Sequence, residues 1–305
     1  FALTSMLIAI PTGIKIFNWL STMWGGSLRF RTAFCFAASF VGMFTIGGLS
    51  GIMHASPPVD LQQTDTYFVV AHFHYVIFGG AVFGIFAGLF YWWPKIFGRA
   101  LGEAWAKLQF WLMIIGFNLA FGPMHILGLQ GMIRREYTYP ESLGLTFWNQ
   151  VSTVGAFLIA LSVAMFMINV VRTHLKPRGE VVEDPWDART LEWMTSSPPP
   201  VHNFDEIPTV HALDEFWHRK YVEDERTGRL VPAQAGASDE PHADHEGGHG
   251  SIHLPSPSYW PLVAGLGLPI MAYGVLYSWW LIGAGALVAL VGFYGWALEP
   301  SVAEE

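Results

Sequence analysis

The sequence predicts an all-α membrane protein, a transmembrane bundle of about seven helices, and three observations support this. Hydrophobic residues make up 52% of the 305 residues and charged residues only 13%, and the mean hydropathy is +0.36. These values lie outside the range that is usual for soluble domains. The charges are concentrated between positions 172 and 246, with long and almost uncharged stretches on both sides. Several of these stretches reach the roughly 20 residues that a helix needs to cross a bilayer.

Five apolar segments come before the charged region and predict the first five spans. They are residues 1–24, 33–54, 67–93, 105–129 and 145–171. The chain begins within apolar sequence, without an initiator Met or a signal-peptide pattern, and we interpret it as truncated at its N-terminus.

A second uncharged region follows the charged one, at residues 259–298. It is too long for one span, so we expect a two-helix hairpin that turns near residues 277–280. Small residues at a helix interface let two backbones approach closely. We expect the hairpin to pack against the core or another subunit, and the residues that would allow such a close contact are Gly265, Gly267, Gly283 and Gly285.

Loop charges predict the orientation, because cytoplasmic loops are enriched in Lys and Arg. The loops after the first, third and fifth predicted spans carry such residues and fall on one face, which we expect to be cytoplasmic. These residues are Arg29, Arg31, Lys95, Arg99, Arg172, Lys176 and Arg178. The outer loop 55–66 has none, whereas the outer loop 130–144 carries Arg134 and Arg135 side by side. This doublet indicates an anionic partner on the outer face.

Composition divides the chain into four parts. We expect a transmembrane core at 1–172, a cytoplasmic tail at 173–230 that packs on the core, a flexible linker at 231–257 and the hairpin at 258–298. The linker is rich in histidine, but a Gly-rich segment supplies no fixed geometry for a metal. Its histidines are His242, His245, His249 and His253. The single cysteine, Cys35, excludes a disulfide within the chain.

The most informative residues are His72 and His74, early in the third predicted span. Histidines inside a membrane helix are costly and are functional candidates by default. On a helix, residues at i and i+2 are separated by about 200°, so these two rings point to opposite sides and serve two centres rather than one. Imidazole suits heme iron, which predicts two hemes, one on each side of the helix. The alternative is that each ring only hydrogen-bonds to a neighbouring helix.

Lys15 is the second candidate, because an ammonium group within a span costs at least about 2.5 kcal/mol on insertion scales. Thr12 and Ser5 share its face of the helix. Hydroxyl groups and a lysine along one stripe can hold water and relay protons. The alternative is a lysine that extends its ammonium group to the membrane interface.

Arg134 and Arg135 gain a candidate partner from the heme interpretation. Heme carries two propionates, and guanidinium groups bind carboxylates through bidentate, charge-assisted hydrogen bonds. The alternative is that both side chains reach the outer headgroups.

At these residues the sequence resembles subunit I of the cytochrome c oxidase family of heme–copper terminal oxidases. The shared motifs are AIPTGIK at 9–15, TIGGLSG at 45–51, DTYFVVAHFHY at 65–75, HILGLQGM at 125–132 before the Arg doublet, and LEW at 191–193 before SPPP at 197–200. The resemblance covers roughly residues 1–204. It implies that the first five spans are the last five of a twelve-helix bundle. The helices with the copper-ligating histidines lie upstream, so this fragment alone would not be active.

The same resemblance implies roles for individual residues. His72 would ligate the high-spin heme a3 and His74 the low-spin heme a, while copper B would be held by the missing N-terminal part. Thr12 and Lys15 match a proton-uptake path, and Asp60 matches a position near a propionate. Asp65 matches a ligand of a magnesium or manganese ion, although Thr64 stands where the family commonly has a second ligand, a histidine.

The resemblance implies a proton-pumping cytochrome c oxidase in a bacterial plasma membrane, with the tail in the cytoplasm. The expected partners are oxidase subunits II and III, cytochrome c through subunit II, oxygen and the lipid bilayer, and no nucleic acid. A quinol oxidase on the same scaffold is the nearest alternative. A non-catalytic diheme electron-transfer protein and a transporter that uses the histidines as proton relays are alternatives from other classes. The terminal hairpin lies beyond the resemblance, and one interpretation is a fused accessory-subunit segment.

Overall fold

A computed structural model describes residues 2–176, 183–204, 207–224, 229–233 and 258–299. Within these ranges seven helical spans are long and apolar enough to cross a membrane. The all-α membrane class and the number of spans predicted from the sequence are therefore confirmed. The first five spans are α1 (Ala2–Met23), α2 (Thr32–Ala55), the continuous helix Tyr67–Phe97, α6 (Glu103–Leu129) and α7 (Thr146–Leu175).

The third span has three parts. It consists of α4 (Tyr67–Ile77), a π-helical turn (Phe78–Val82) and α5 (Phe83–Phe97). Short helices α3 (Pro57–Gln63) and α8 (Glu215–Lys220) and two 3₁₀ turns, Glu141–Leu143 and Leu191–Met194, lie outside the spans. A π-helical turn often marks a functional position within a helix, and here it begins four residues after His74.

The chain forms two compact units. The bundle unit comprises Phe1–Pro199 and His211–Lys220, and the hairpin unit comprises Pro200–Val210 and Tyr221–Glu305. In the bundle unit the core is strongly aromatic: Phe36 of α2 is fully buried, stacks on Phe86 at 5.3 Å between ring centroids and meets Phe110 edge-on at 5.1 Å. These ring contacts join α2, α5 and α6.

The two loops at the histidine end of the bundle unit pair with each other. The Tyr67 N–H donates to the Met132 carbonyl oxygen (2.9 Å), and the Arg134 N–H donates to the Asp65 carbonyl oxygen (2.8 Å). Thr66 caps α4, since its hydroxyl oxygen accepts from the Phe68 N–H at 3.2 Å. The start of the histidine helix is therefore held by backbone contacts from the loop that carries the Arg doublet.

Residues 183–199 and α8 pack at the opposite end of the bundle unit. The Trp186 indole donates to the Tyr91 carbonyl oxygen (2.8 Å), and buried Lys95 donates to the Thr195 carbonyl oxygen (2.6 Å). These contacts tie part of the predicted tail to α5. Most of the predicted linker, residues 234–257, lies outside the described residues, as do His242, His245, His249 and His253.

The hairpin unit contains α9 (Trp260–Tyr277) and α10 (Trp279–Ala297), which turn at Ser278, within the predicted 277–280. A Cβ atom on Gly267 would lie 2.6 Å from the Ala289 nitrogen, so this glycine and Gly285 lie in the helix contact. The described residues leave open space beside Gly265 and Gly283, so a contact of these two glycines with the core or another subunit stays a prediction. Residues two apart on a helix face opposite sides. Strands β1 (Tyr221–Asp224) and β2 (Arg229–Pro232) pair antiparallel in the same unit and were not predicted.

Candidate functional site

Helix α4 carries His72 and His74 to different neighbours. The His72 ring lies against α2, with its Nδ1 atom 2.9 Å from the Gly47 carbonyl oxygen. The His74 ring stacks on Phe121 of α6, with centroids 4.0 Å apart and 13° between the planes. Its Nδ1 atom lies 2.8 Å from the Val70 carbonyl oxygen, one turn back in α4. The two rings therefore occupy separate environments, although only one residue lies between them.

These hydrogen bonds determine which ring nitrogen is free. A carbonyl oxygen can only accept, so Nδ1 carries the proton in both rings and Nε2 of the neutral imidazole is unprotonated. The Ser50 hydroxyl reinforces the arrangement, since it donates to the same Gly47 carbonyl (2.8 Å) and its oxygen lies 2.9 Å from His72 Nδ1. A histidine that ligates a metal typically donates its other N–H in this way. Both rings therefore present an unprotonated Nε2, the form in which an imidazole can ligate a metal.

Two glycines of α2 allow the His72 ring to pack closely against this helix. A Cβ atom on Gly47 would lie 2.8 Å from the Val76 nitrogen of α4, a distance that real Cβ atoms do not reach. A Cβ atom on Gly51 would lie 3.0 Å from Cε1 of His72. Glycine at both positions lets α2 and α4 approach closely enough for the His72 ring to reach the Gly47 carbonyl. The motif at 45–51 therefore forms the surface of α2 against which the His72 ring packs.

Two further histidines lie beside this site, and the sequence analysis gave neither of them a role. The His54 ring is 5.0 Å from the His72 ring, centroid to centroid, at 69°. His125 of α6 lies 5.3 Å from the Tyr75 ring. The signal available for His54 was its spacing, since Gly47, Gly51 and His54 follow at i, i+4 and i+7 and so share one face of a helix.

A cavity of about 340 Å³ lies between α1 and α2. Its polar lining includes Ser5, Thr12 and His54, and its α2 wall contains Gly48 and Gly51. The remaining lining residues are Ile8, Ala9, Ile52 and Ala55. The structure thus brings together two of the three residues of the predicted proton path.

Lys15 is not part of this lining. It lies one turn beyond Thr12 on α1, exposed in this chain, at the side of the cavity away from His54. The Thr12 hydroxyl donates to the Ile8 carbonyl oxygen (2.9 Å). This bond leaves the lone pairs of the hydroxyl oxygen able to accept from water in the cavity.

The partner that the described residues give to Arg134 is Asp65. The Nε and Nη2 atoms of Arg134 both contact Oδ1 of Asp65, at 2.7 and 2.6 Å. Arg135 and Asp60 are exposed. No cluster of three or more histidine, cysteine, aspartate or glutamate side chains that could hold a metal ion occurs among the described residues.

Comparison with known proteins gives two family matches. The family model described as cytochrome C and quinol oxidase polypeptide I matches residues 1–158. The family model described as cytochrome c oxidase subunit IV matches residues 227–305, which include the hairpin.

Several curated relatives match over most of this chain. Cytochrome c oxidase subunit 1 of Alkalihalophilus pseudofirmus is 46% identical over 96% of the chain and 45% of its own length. Cytochrome c oxidase subunit 1 of Bacillus subtilis is 48% identical over 91% of the chain and 42% of its own length. Quinol oxidase subunit 1 of Bacillus subtilis is 40% identical over 95% of the chain and 42% of its own length. The chain spans less than half the length of these relatives.

A solved structure of a heme–copper terminal oxidase dimer matches the fold. The TM-score is 0.50 and the identity 22%, over 59% of this chain and 37% of the solved one.

Proposed function

The chain belongs to the family of cytochrome c and quinol oxidase subunit I, and from this premise we propose that it forms the C-terminal part of the catalytic subunit of a proton-pumping respiratory oxidase. The observation that carries the proposal is the pair His72 and His74, whose rings face different helices and each present an unprotonated Nε2. This donor set fits two hemes, one ligated by each ring.

Two hemes at these positions would supply electron transfer and, with copper B from the upstream part, oxygen reduction. His74 would hold the low-spin heme a, with its ring kept in one orientation by Phe121 and by the Val70 carbonyl. His72 would hold the high-spin heme a3, with its ring kept in one orientation by Gly47 and Ser50. Because one short helix carries both rings, a shift of α4 moves both ligands together.

The cavity between α1 and α2 is proposed to be part of the pocket for the heme on His72. It is also proposed to be the end of a proton path. Ser5 and Thr12 place hydroxyl oxygens on its wall, where they can hold water. Lys15, one turn further along α1, would deliver protons from the cytoplasmic side. Lys15 and Thr12 act here as binding and relay groups for protons and water.

The loop pair at the histidine end is proposed to receive the heme propionates. Arg134 uses Nε and Nη2 for Asp65, and a guanidinium has five N–H donors, so others remain for a carboxylate. Arg135 and Asp60 would lie beside the same propionates. Asp65 uses Oδ1 for Arg134, which leaves Oδ2 as a possible oxygen ligand of a magnesium or manganese ion shared with another subunit.

The electron donor is proposed to be cytochrome c, through a copper-containing subunit II, with subunit III as a further partner. A quinol donor is the second candidate, because one relative at 40% identity is named quinol oxidase subunit 1. We place the complex in a bacterial plasma membrane with the tail of this chain in the cytoplasm. The hairpin is proposed to be a subunit IV segment fused to this chain, on the basis of the match at 227–305.

The test uses the complete purified complex. A reduced-minus-oxidised optical spectrum should show two hemes, and carbon monoxide should change the spectrum of one. A diheme electron-transfer protein would show no heme that reacts with carbon monoxide, and a transporter would show no heme. Oxygen consumption with reduced cytochrome c, compared with a reduced quinol, then decides between the two donors.

A further inference from the structure

We infer that His54 is a further cofactor-binding residue, which donates a hydrogen bond to a propionate carboxylate of the heme ligated by His72. This inference rests on the proposed function, since it takes His72 as the ligand. It concerns a residue on a different helix from both proposed ligands, and it assigns that residue to one of the two hemes.

The first support is that the two ring nitrogens of His54 are buried without a hydrogen-bond partner among the described residues. Both of its ring nitrogens are inaccessible to solvent, and neither has a hydrogen-bond partner among the described residues. The Phe68 backbone is close enough to interact electrostatically with the ring, but the contact does not have hydrogen-bond geometry. A neutral imidazole has one donor and one acceptor, and leaving them unpaired in an apolar environment costs free energy. The ring therefore requires a polar partner that the described part of the chain does not supply.

The second support is the position of the ring. His54 contacts His72 edge to face at 5.0 Å and lines the cavity between α1 and α2. Gly48 and Gly51, on the same wall, put no side chain into this space. A porphyrin is much wider than the imidazole that ligates its iron, so the edge of a heme on His72 extends past that ring to its neighbours.

The third support identifies the substituent. His54 lies in the last turn of α2, directly before α3 and the turn with Asp65, and so at the end of the bundle unit where Arg134 lies. A guanidinium and an imidazole N–H at one end of the pocket both suit a carboxylate, which accepts hydrogen bonds only. Asp65 is already paired with Arg134. A propionate is the heme substituent with this chemistry.

The experiment uses the complete complex with His54→Leu and His54→Gln, and with Met53→Leu as the matched control. Leu keeps the apolar volume without a donor, and Gln restores an N–H. Met53 is the adjacent residue, is 42% exposed and does not line the cavity. Redox titrations followed at both hemes are compared for the four proteins.

In His54→Leu the carbon monoxide-reactive heme should remain, and its reduction equilibrium should shift about five-fold toward the oxidised form, as expected from losing one hydrogen bond. The direction follows because an unbonded propionate leaves more negative charge beside the iron. The low-spin heme should not shift, and His54→Gln should recover most of the loss. Met53→Leu should match wild type.

Three results would overturn the inference: no shift in His54→Leu, an equal shift at both hemes, or a His54→Gln variant that behaves as His54→Leu does. If His54→Leu does not assemble, the reduced-minus-oxidised infrared spectrum of His54→Gln decides. Its propionate carboxylate bands should move relative to wild type, and unchanged bands would overturn the inference. Failure of the proposed function is distinct, because the wild-type complex itself would then lack a heme that reacts with carbon monoxide.

Discussion

The Nδ1 atom of His72 lies 2.9 Å from the carbonyl oxygen of Gly47, so a residue of α2 determines the orientation of a ring on α4. The His74 ring is instead oriented by its own helix, through Val70. The two proposed ligands, two residues apart, are thus controlled by different parts of the bundle.

We expect His72→Ala and His74→Ala to remove different hemes. Each variant deletes the only imidazole that the proposal gives to one iron, while the other ring keeps its own neighbours. Optical spectra of the complete complex, with and without carbon monoxide, provide the measurement. His72→Ala should lose the carbon monoxide-reactive signal and His74→Ala the low-spin signal. Loss of the same signal in both variants, or of neither, would refute the assignment.

Gly51→Ala should disturb the high-spin heme alone. The new methyl group would lie 3.0 Å from Cε1 of His72, so the ring has to move by a few tenths of an ångström. Overpacking of this kind typically costs about 1–3 kcal/mol. The control is Gly42→Ala in the same helix, where a Cβ meets open space. A Gly51→Ala spectrum identical to that of Gly42→Ala would show that the ring is not confined as described.

Arg134→Ala should lower the reduction potential of the low-spin heme, or impair pumping, with both hemes retained, and more strongly than Arg135→Ala. Removing Arg134 deletes a positive charge and also leaves the Asp65 carboxylate uncompensated, whereas Arg135 is exposed. A positive charge near iron favours the reduced form. The double variant Arg134→Ala/Asp65→Asn should recover part of the loss. Unchanged potentials and pumping in all three variants would leave the Arg doublet with a role at the headgroups only.

Lys15→Met should preserve assembly and spectra and slow turnover steeply. Met fills a similar volume without the charge, but the protons that must accompany reduction of the high-spin heme would lose their path. In stopped-flow reduction the low-spin heme should stay fast and the high-spin heme become slow. Lys107→Met, an exposed lysine of α6, is the control. Equal rates of reduction at both hemes, with near-normal turnover, would show that Lys15 only extends its ammonium group to the membrane interface.

The stability of the segment around α8 should fall at acidic pH through Glu215. Its carboxylate accepts from the His211 N–H (2.8 Å) and the Ala212 N–H (3.2 Å) and pairs with Arg219 (3.0 Å). The His211 N–H, then Arg219, hold the pKa of Glu215 below its usual value. A depressed folded-state pKa means that this stabilisation is present above the unfolded pKa and is lost as the pH falls through the folded value.

Glu215→Gln should therefore raise amide exchange at His211 and Ala212 several-fold at neutral pH, measured by hydrogen exchange at matched pH. The difference from wild type should disappear below the folded pKa of Glu215. Glu136→Gln, at an exposed loop position, is the control. Equal protection of wild type and Glu215→Gln at neutral pH would contradict this role.

The spans and the turn near Ser278 could be predicted because the length and charge of a segment are local properties, and these properties decide whether a helix can cross a bilayer. The opposite directions of His72 and His74 followed from helical geometry alone. The same geometry explains why Gly265 and Gly283 lie outside the contact between α9 and α10, because each lies two residues from a glycine that faces the partner helix.

Some relationships were beyond local reasoning. The pair Asp65 and Arg134 joins residues 69 positions apart, and each residue was assigned from the sequence to a different partner. The spacing of His54 from Gly47 and Gly51 shows only which face of α2 it occupies. Its significance depends on a ring 18 positions away and on unpaired ring nitrogens that are buried only once α2 and α4 are packed.

The sequence by itself determined that this chain lies in a membrane, where its helices begin and end to within a few residues, and that two imidazoles leave one helix in different directions. Those properties depend on hydrophobic length and on the helical repeat, which neighbouring residues define. Only the tertiary structure decided which carbonyl orients His72, which carboxylate pairs with Arg134, and that Ser5, Thr12 and His54 share one cavity. The first of these contacts arises because glycine at positions 47 and 51 lets α2 and α4 approach closely. All of them depend on packing between segments that are distant in the sequence.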